Sequence, residues 1–263
     1  MSLPSNLPNV APEPNQPEAA APPKPKGPPN EFEKIVGIFF EPAKTFADLG
    51  RHPNWWVPWL LLSVVSLGWI YAVQTKIGWD QVAENNVKMS PKAAARLDSL
   101  PADQRDKQMV LSAKITKGIS WATPVMILIF TAIFAGLYLL VYNFGLGAKV
   151  TYGRSITIAM YASLPSVIKY LLGIVFVFIL DPETYNMQQP VASNLGALID
   201  PLQHRFLFGV LSGVDLFIIW GTILTAIGFE QCTKVKRWTG FAALYGMIMF
   251  FVIAFSALGA AFS

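Results

Sequence analysis

Residues 56–73 read WVPWLLLSVVSLGWIYAV, a run of eighteen residues without a charged side chain. Because a helix rises about 1.5 Å per residue, a run of this length can cross a hydrocarbon core of ~30 Å. Trp55, Trp56 and Trp59 lie at its start, and indole rings favour the level of the lipid head groups. The run therefore predicts a transmembrane helix that three tryptophans anchor at the membrane surface.

Four further apolar runs meet the same length criterion and predict further crossings. They cover residues 119–144, 156–180, 206–229 and 238–262. The run at residues 156–180, the third along the chain, contains Pro165, which predicts a kink because proline interrupts helical hydrogen bonding. Charged residues make up only 14% of the chain, against about 25% in soluble domains. We therefore predict an all-α polytopic membrane protein with about five transmembrane helices.

The segments before the first crossing predict a tail and an interfacial region. Residues 1–30 hold ten of the twenty prolines and predict a disordered tail, either a spacer or a ligand for an aromatic groove. Residues 31–263 then form the membrane domain. Apolar residues near helical spacing in residues 31–50 predict interfacial helices, with Phe39 and Phe40 directed at the lipid as anchors.

Two longer connections also carry predictions. Residues 74–118 contain eight Lys or Arg and five acids, so we expect an extramembrane helical loop. The prolines at positions 91 and 101 predict that two short helices begin there. The connection at residues 181–205 reads mostly as loop, with a short helix capped by Ser193 or Asn194.

Basic residues in the short loops predict the orientation, since such residues concentrate on the cytoplasmic side. The two short loops on one side of the membrane hold five basic residues, and the connection on the other side holds only Arg205. The five are Lys149, Arg154, Lys234, Lys236 and Arg237. The count places the N-terminus in the cytoplasm, and we expect the membrane to be a bacterial cytoplasmic (inner) membrane. The 74–118 loop favours the opposite orientation, but it is long and of mixed charge.

Two ionisable residues lie inside the apolar runs. Lys169 is in the third run and Asp215 is in the fourth, at depths that differ by only a few Å if both runs are helical. Charges in a membrane are costly and face the protein interior, so we predict an ion pair between neighbouring helices. The pair is either structural or a polar step in a transport path.

Small residues four positions apart predict close helix packing. Gly209 and Gly213 form such a pair on the fourth run, and Ala132 and Gly136 form one on the second. Most pairs of this kind pack helices within one chain, and a minority join two copies, so a homo-oligomer stays open.

The sequence contains no pattern typical of an active site. There is no HExxH, no GxSxG and no phosphate-binding loop, and the only histidines are His52 and His204. The single cysteine, Cys232, excludes an intramolecular disulfide. We therefore expect no enzyme, no cofactor and no metal site. Basic residues are spread over several loops, so we expect no nucleic-acid partner.

Three stretches resemble a known family. They read IFFEPAKTFADLGRHPNWWVPWLLL (38–62), MYASLPSVI (160–168) and VDLFIIWGTILTAIGF (214–229). Their order and the layout of the spans are similar to the Yip domain, the Ypt-interacting protein family, in its bacterial form. The resemblance implies five spans, a cytoplasmic N-terminus and no catalytic residues. For eukaryotic members it also implies contact with small GTPases of the Ypt/Rab type.

These observations leave two functions open. The first is a scaffold or adaptor that lies among membrane lipids and binds an unidentified membrane or cytoplasmic protein. The second is a transporter of a small molecule or lipid that uses Lys169 and Asp215, since broken helices with charges at mid-depth are typical of substrate sites.

Overall fold

The structure is a computed structural model that describes residues 29–50 and 54–261. The predicted tail (residues 1–30) lies almost wholly outside the described residues, and His52 lies outside them too. The described chain is helical, so the all-α prediction is confirmed. Its α-helices are α1 Glu31–Phe40, α2 Pro42–Leu49, α3 Trp56–Lys76, α4 Trp79–Lys88, α5 Pro91–Asp98, α6 Ala102–Trp121, α7 Thr123–Leu139, α8 Tyr152–Ala162, α9 Pro165–Ile179, α10 Arg205–Ser212, α11 Leu216–Glu230 and α12 Arg237–Ala261.

Within the described residues, four helical stretches are long and apolar enough to cross a membrane: Trp56–Lys76, Thr123–Gly145, Tyr152–Ile179 and Arg237–Ala260. The predicted crossing at 206–229 differs, because it is not one helix. It is divided into α10 and the shorter apolar helix α11, with Gly213 to Asp215 between them. Asp215 has an extended backbone and serves as the N-cap of α11, so the two helices are separate elements.

The two pieces nevertheless lie in line along α12. A Cβ atom added to Gly209 would collide with Ser256, and one added to Gly213 would lie 2.7 Å from the Val252 side chain. Farther along, Gly240 near the start of α12 faces Ala226 of α11. The register is antiparallel over both pieces, so α10 and α11 together accompany α12 along its length. Gly209 and Gly213 thus pack helices within this chain.

The third crossing bends at the predicted proline. α8 ends at Ala162, and Pro165 occupies the first turn of α9, where its missing amide costs no hydrogen bond. The Ser163 amide is shared between the carbonyls of Ala159 (3.1 Å) and Met160 (3.3 Å), and the Leu164 amide donates to the Tyr161 carbonyl, three residues back, at 3.2 Å. α11 packs antiparallel to α8, with Gly221 against the Ala162 carbonyl and Gly228 against Ile158. The kink is confirmed.

The connection between α3 and α7 is more helical than predicted. It contains three helices, α4 to α6, where two were expected, and α6 runs for 20 residues as far as Trp121. The predicted second crossing at 119–144 therefore begins in the last turn of α6, and α7 itself starts at Thr123. Gly78 begins α4 with a φ of 84°, a left-handed conformation that glycine adopts without strain.

The predicted interfacial anchors divide into two groups. Phe40 is 80% exposed, and Trp55 and Trp56 are exposed as well, as lipid contact would require. Phe39 does not face outward: its ring lies edge-on against Trp220 of α11, with 5.7 Å between centroids. Trp59 donates a hydrogen bond of 2.9 Å to the Pro124 carbonyl at the start of α7. These two side chains hold helices together, because they lie on the inner face of their helices.

Ala132 and Gly136 do not form a tight helix contact. A Cβ atom added to Gly136 would meet no atom within 4 Å. The Ala132 carbonyl accepts a hydrogen bond from the Tyr152 hydroxyl at 3.0 Å. Small size at position 136 is therefore not needed for packing within the described chain.

Candidate functional site

The break in the fourth crossing is the most unusual feature of the membrane domain. Asp215 has an extended backbone (φ −110°, ψ 135°), and its Oδ1 accepts hydrogen bonds from the amides of Phe217 (2.8 Å) and Ile218 (3.1 Å). It therefore serves as the N-cap of α11. The carboxylate satisfies two of the amides that every helix start leaves without an intrahelical partner.

The connection between α9 and α10 folds back to the break and pairs with it. Asn194 and Asp215 form an antiparallel β-bridge. The Leu195 amide donates to the Val214 carbonyl at 3.2 Å, and the Leu216 amide donates to the Ser193 carbonyl at 2.9 Å. Backbone polar groups inside a membrane must be paired within the protein, so this loop compensates for the helical hydrogen bonds lost at the break.

Lys169 and Asp215 meet at this break, as the sequence predicted. The Lys169 ammonium lies 3.0 Å from Asp215 Oδ2 and 5.7 Å from the centroid of the Phe217 ring. The Asp215 side chain is 2% exposed, whereas that of Lys169 is 29% exposed. One point differs from the prediction: Asp215 lies between two helices and not within one.

Asp215 is saturated with hydrogen bonds. Besides Lys169 and the two amides, it accepts a hydrogen bond from the Ser193 hydroxyl at Oδ2. A carboxylate with four donors has no vacant position for a ligand unless one donor leaves. The arrangement can hold α9, α11 and the loop together, and it can open only if Lys169 or Ser193 moves away.

The loop at residues 181–204 is hydrogen-bonded to α4 and to the last residue of α10. At its start, the Asn85 side chain of α4 donates to the carbonyls of Pro182 (2.8 Å) and Tyr185 (2.9 Å). Farther on, Gln189 donates to the Ser212 hydroxyl at 2.9 Å. The loop therefore connects the α4–α6 unit, the three helices beyond the end of α3, to the ion pair.

The α4–α6 unit contains a groove of about 570 Å³. Its lining combines apolar residues with acids and bases. The apolar residues are Val87, Leu97, Met109 and Val110, and the charged ones are Asp80, Glu84, Lys88, Arg105 and Asp106. Among the described residues, no group of three or more His, Cys, Asp or Glu side chains could hold a metal ion.

Sequence reasoning missed the partners of the ion pair. The sequence predicted Ser193 or Asn194 as the cap of a short helix. Asn194 does cap the 3-10 helix Leu195–Leu198, whereas Ser193 binds Asp215. Gln189 and Asn85 carried no recognisable signal. The break itself did carry one, since an aspartate inside an apolar run is a strong candidate for an N-cap.

The fold and this site define a class of protein: a helical integral membrane protein with a break at a charged residue between α10 and the shorter apolar helix α11. Residues 36–258 match the Yip1 domain family, and the chain belongs to that family. The match covers the ion pair, the groove and all helices from α2 to α11. Comparison with curated proteins and with solved structures gives no match for this chain.

Proposed function

We propose that the protein is a membrane adaptor without catalytic activity that binds another protein through the groove of the α4–α6 unit. The groove is the observation that carries this proposal. Its lining of four apolar residues and charges of both signs suits a polypeptide segment that presents apolar and charged side chains together.

The position of the unit supports this role. Asn85 fixes α4 to the membrane domain through Pro182 and Tyr185, and the Tyr185 hydroxyl in turn accepts a hydrogen bond from Trp69 of α3 at 3.1 Å. A groove held by a rigid base loses little conformational entropy when a partner binds. The α4–α6 unit thus has the properties of a preformed docking surface.

The proposal includes an orientation in a bacterial cytoplasmic membrane. The five basic residues of the two short loops favour a cytoplasmic N-terminus, which would put the α4–α6 unit on the opposite face. A reporter enzyme that is active only in the cytoplasm, fused after Ser263, tests this. Reporter activity would reverse the orientation, and the groove would then face a cytoplasmic partner.

Partner capture tests the adaptor role. The tagged protein would be extracted from native membranes in mild detergent, and co-purifying proteins identified by mass spectrometry. The Val110→Glu variant places a charge in the groove at a residue that is 49% exposed, so the fold should survive. Ala95→Glu adds the same charge to an exposed position of α5 outside the groove.

We expect a stoichiometric partner that is lost from Val110→Glu and kept by Ala95→Glu. A partner kept by both variants but lost on deletion of residues 1–30 would move the contact to the tail. If the wild type carries no protein at all, the adaptor proposal is wrong.

A second candidate, transport of a small molecule or lipid, is favoured by one observation. A broken helix with a buried ion pair and a loop folded onto it resembles the substrate sites of secondary transporters. A bound solute that co-purifies with the wild type and is lost from Lys169→Met would support transport. The same solute retained by Lys169→Met would exclude the ion pair as its site.

A further inference from the structure

The two short loops that carry most of the basic residues lie together at one end of the membrane domain. Val150 of the first loop is buried in the core cluster onto which Cys232 and Val235 of the second loop also pack. Beneath them, the rings of Tyr142 and Phe229 stack with 4.0 Å between centroids. The loops therefore form one continuous surface, although they are about eighty residues apart in sequence.

This surface, which we call the basic face, carries an excess of positive charge. Its cations are Lys149, Arg154, Lys234, Lys236 and Arg237. Glu230 is the only acid in residues 142–154 and 230–238, and it is taken by Arg237, with 2.8 Å between Nη2 and Oε2. Among residues 29–50 and 54–261, no ion pair involves any of the other four, and all four are exposed.

Local hydrogen bonds fix the shape of the basic face. The Asn143 side chain donates to the Val150 carbonyl at 3.0 Å and accepts from the Val150 amide at 2.8 Å. In the second loop, the Thr233 hydroxyl donates to the Phe229 carbonyl at 2.8 Å. Burial raises the pKa of the Cys232 thiol, and the nearby Arg154 guanidinium opposes that rise, so Arg154 lies close to the second loop. These hydrogen bonds fix the backbone of both loops, which carry the charges.

Aromatic side chains place the basic face at the membrane surface. Phe144 is 84% exposed, Trp238 is 67% exposed and Tyr152 is 46% exposed. Tyr152 begins α8, Arg237 begins α12, and both helices belong to membrane-spanning stretches. Exposed aromatic rings at the start of a span favour the head-group level, so the adjacent lysines and arginines reach the phosphates there.

We propose that the basic face is a binding surface for the head groups of anionic phospholipids of the bilayer. The four exposed cations, which have no ion pair among the described residues, match clustered phosphates, and the exposed rings beside them match the glycerol and upper acyl region. A soluble acidic protein would leave those rings without an apolar partner. The inference is independent of the proposed adaptor function, because the α4–α6 unit lies at the other end of the 28-residue stretch α8–α9, roughly 40 Å away.

Native mass spectrometry of the purified full-length protein tests this inference. The protein would be titrated with equal concentrations of phosphatidylglycerol and phosphatidylcholine, and the bound lipids counted. The test variant carries Lys149→Gln, Arg154→Gln, Lys234→Gln and Lys236→Gln. The control carries Lys76→Gln, Arg96→Gln, Lys114→Gln and Lys117→Gln, four exposed residues outside the basic face with the same loss of charge.

We expect the wild type and the control to prefer phosphatidylglycerol. Since each basic residue near an anionic surface strengthens binding about fivefold, the preference of the test variant should fall by at least about tenfold. An equal fall in both variants, or no preference in the wild type, would overturn the proposal. So would an acidic protein that replaces lipid on the wild type and is lost from the test variant.

The salt dependence of lipid binding supplies a second measurement on the wild type alone, in case the variant with four substitutions does not fold. The preference for phosphatidylglycerol should decrease as ionic strength rises from about 0.05 M to about 0.5 M, because salt screens exposed charges. A preference that does not change with salt would contradict an electrostatic head-group surface.

Discussion

Replacing Lys169 by Met would remove the ammonium from the ion pair while keeping most of the apolar stem. The Asp215 carboxylate, 2% exposed, would keep Ser193 and two amides but lose its counter-charge. Removal of one partner from a fully buried pair costs about 3–5 kcal/mol. Because Lys169 is 29% exposed and partly solvated, we expect a lower cost, about 2–3 kcal/mol of the free energy of unfolding.

The double variant Lys169→Met/Asp215→Asn separates the charge from the helix cap. Asparagine still accepts hydrogen bonds at Oδ1, so α11 keeps its N-cap, and no unpaired charge remains. We expect the double variant to recover most of the loss, with a coupling energy of about 1–3 kcal/mol. Exchanging the two charges, with Lys169→Asp and Asp215→Lys together, should not restore stability. A lysine at position 215 cannot accept hydrogen bonds from the amides of Phe217 and Ile218.

Unfolding in mixed micelles, followed by far-ultraviolet circular dichroism, would measure these free energies. Lys117→Met, at an exposed position of α6, is the matched control. A Lys169→Met cost no larger than that of the control would refute the idea that the ion pair holds α9 to the break. A coupling energy within about 0.5 kcal/mol of zero would refute it as well.

Three further predictions concern other contacts. Gly209→Ala should destabilise the protein by about 1–3 kcal/mol through the collision with Ser256, whereas Gly136→Ala should be neutral or stabilising; thermal unfolding of both variants compares them. Asn85→Ala should release the 181–204 loop, which would show as faster proteolytic cleavage there; unchanged cleavage would mean that Asn85 does not hold it. Burial raises the pKa of Glu31, but hydrogen bonds from Lys34, Asn54 and Tyr161 outweigh it and hold that pKa below 4.5. Glu31 therefore adds stability above pH 4.5 that is lost as pH falls through its lowered pKa, and Glu31→Gln should flatten this acid limb in a pH series of unfolding experiments.

The membrane class and most of the crossings follow from local sequence. A run of apolar residues long enough for a bilayer determines a helix whatever its neighbours are, and Pro165 determines where the third crossing bends. The Lys169–Asp215 contact was also predictable, because a charge in an apolar run requires a partner and these two lie at similar depth.

Which side of a helix is buried and which is exposed was harder to predict. Phe39 and Phe40 are neighbours in an amphipathic segment, yet only Phe40 is exposed, and Phe39 packs on Trp220. Periodicity gives the spacing of a helical face, but the position of α11 relative to α1 decides which face is buried. The same holds for Gly136, whose spacing from Ala132 resembles that of Gly209 and Gly213, although a Cβ atom added there would meet no atom of the described residues within 4 Å.

The sequence by itself determined the apolar runs and the two charges, Lys169 and Asp215, inside them. Only the tertiary structure decided that the fourth crossing is interrupted at Asp215. A break inside a membrane is tolerated only if its backbone amides and carbonyls find partners, and here Ser193 and Leu195 supply them. Those partners belong to a polar loop some twenty residues away in sequence, and their approach depends on how the whole bundle packs.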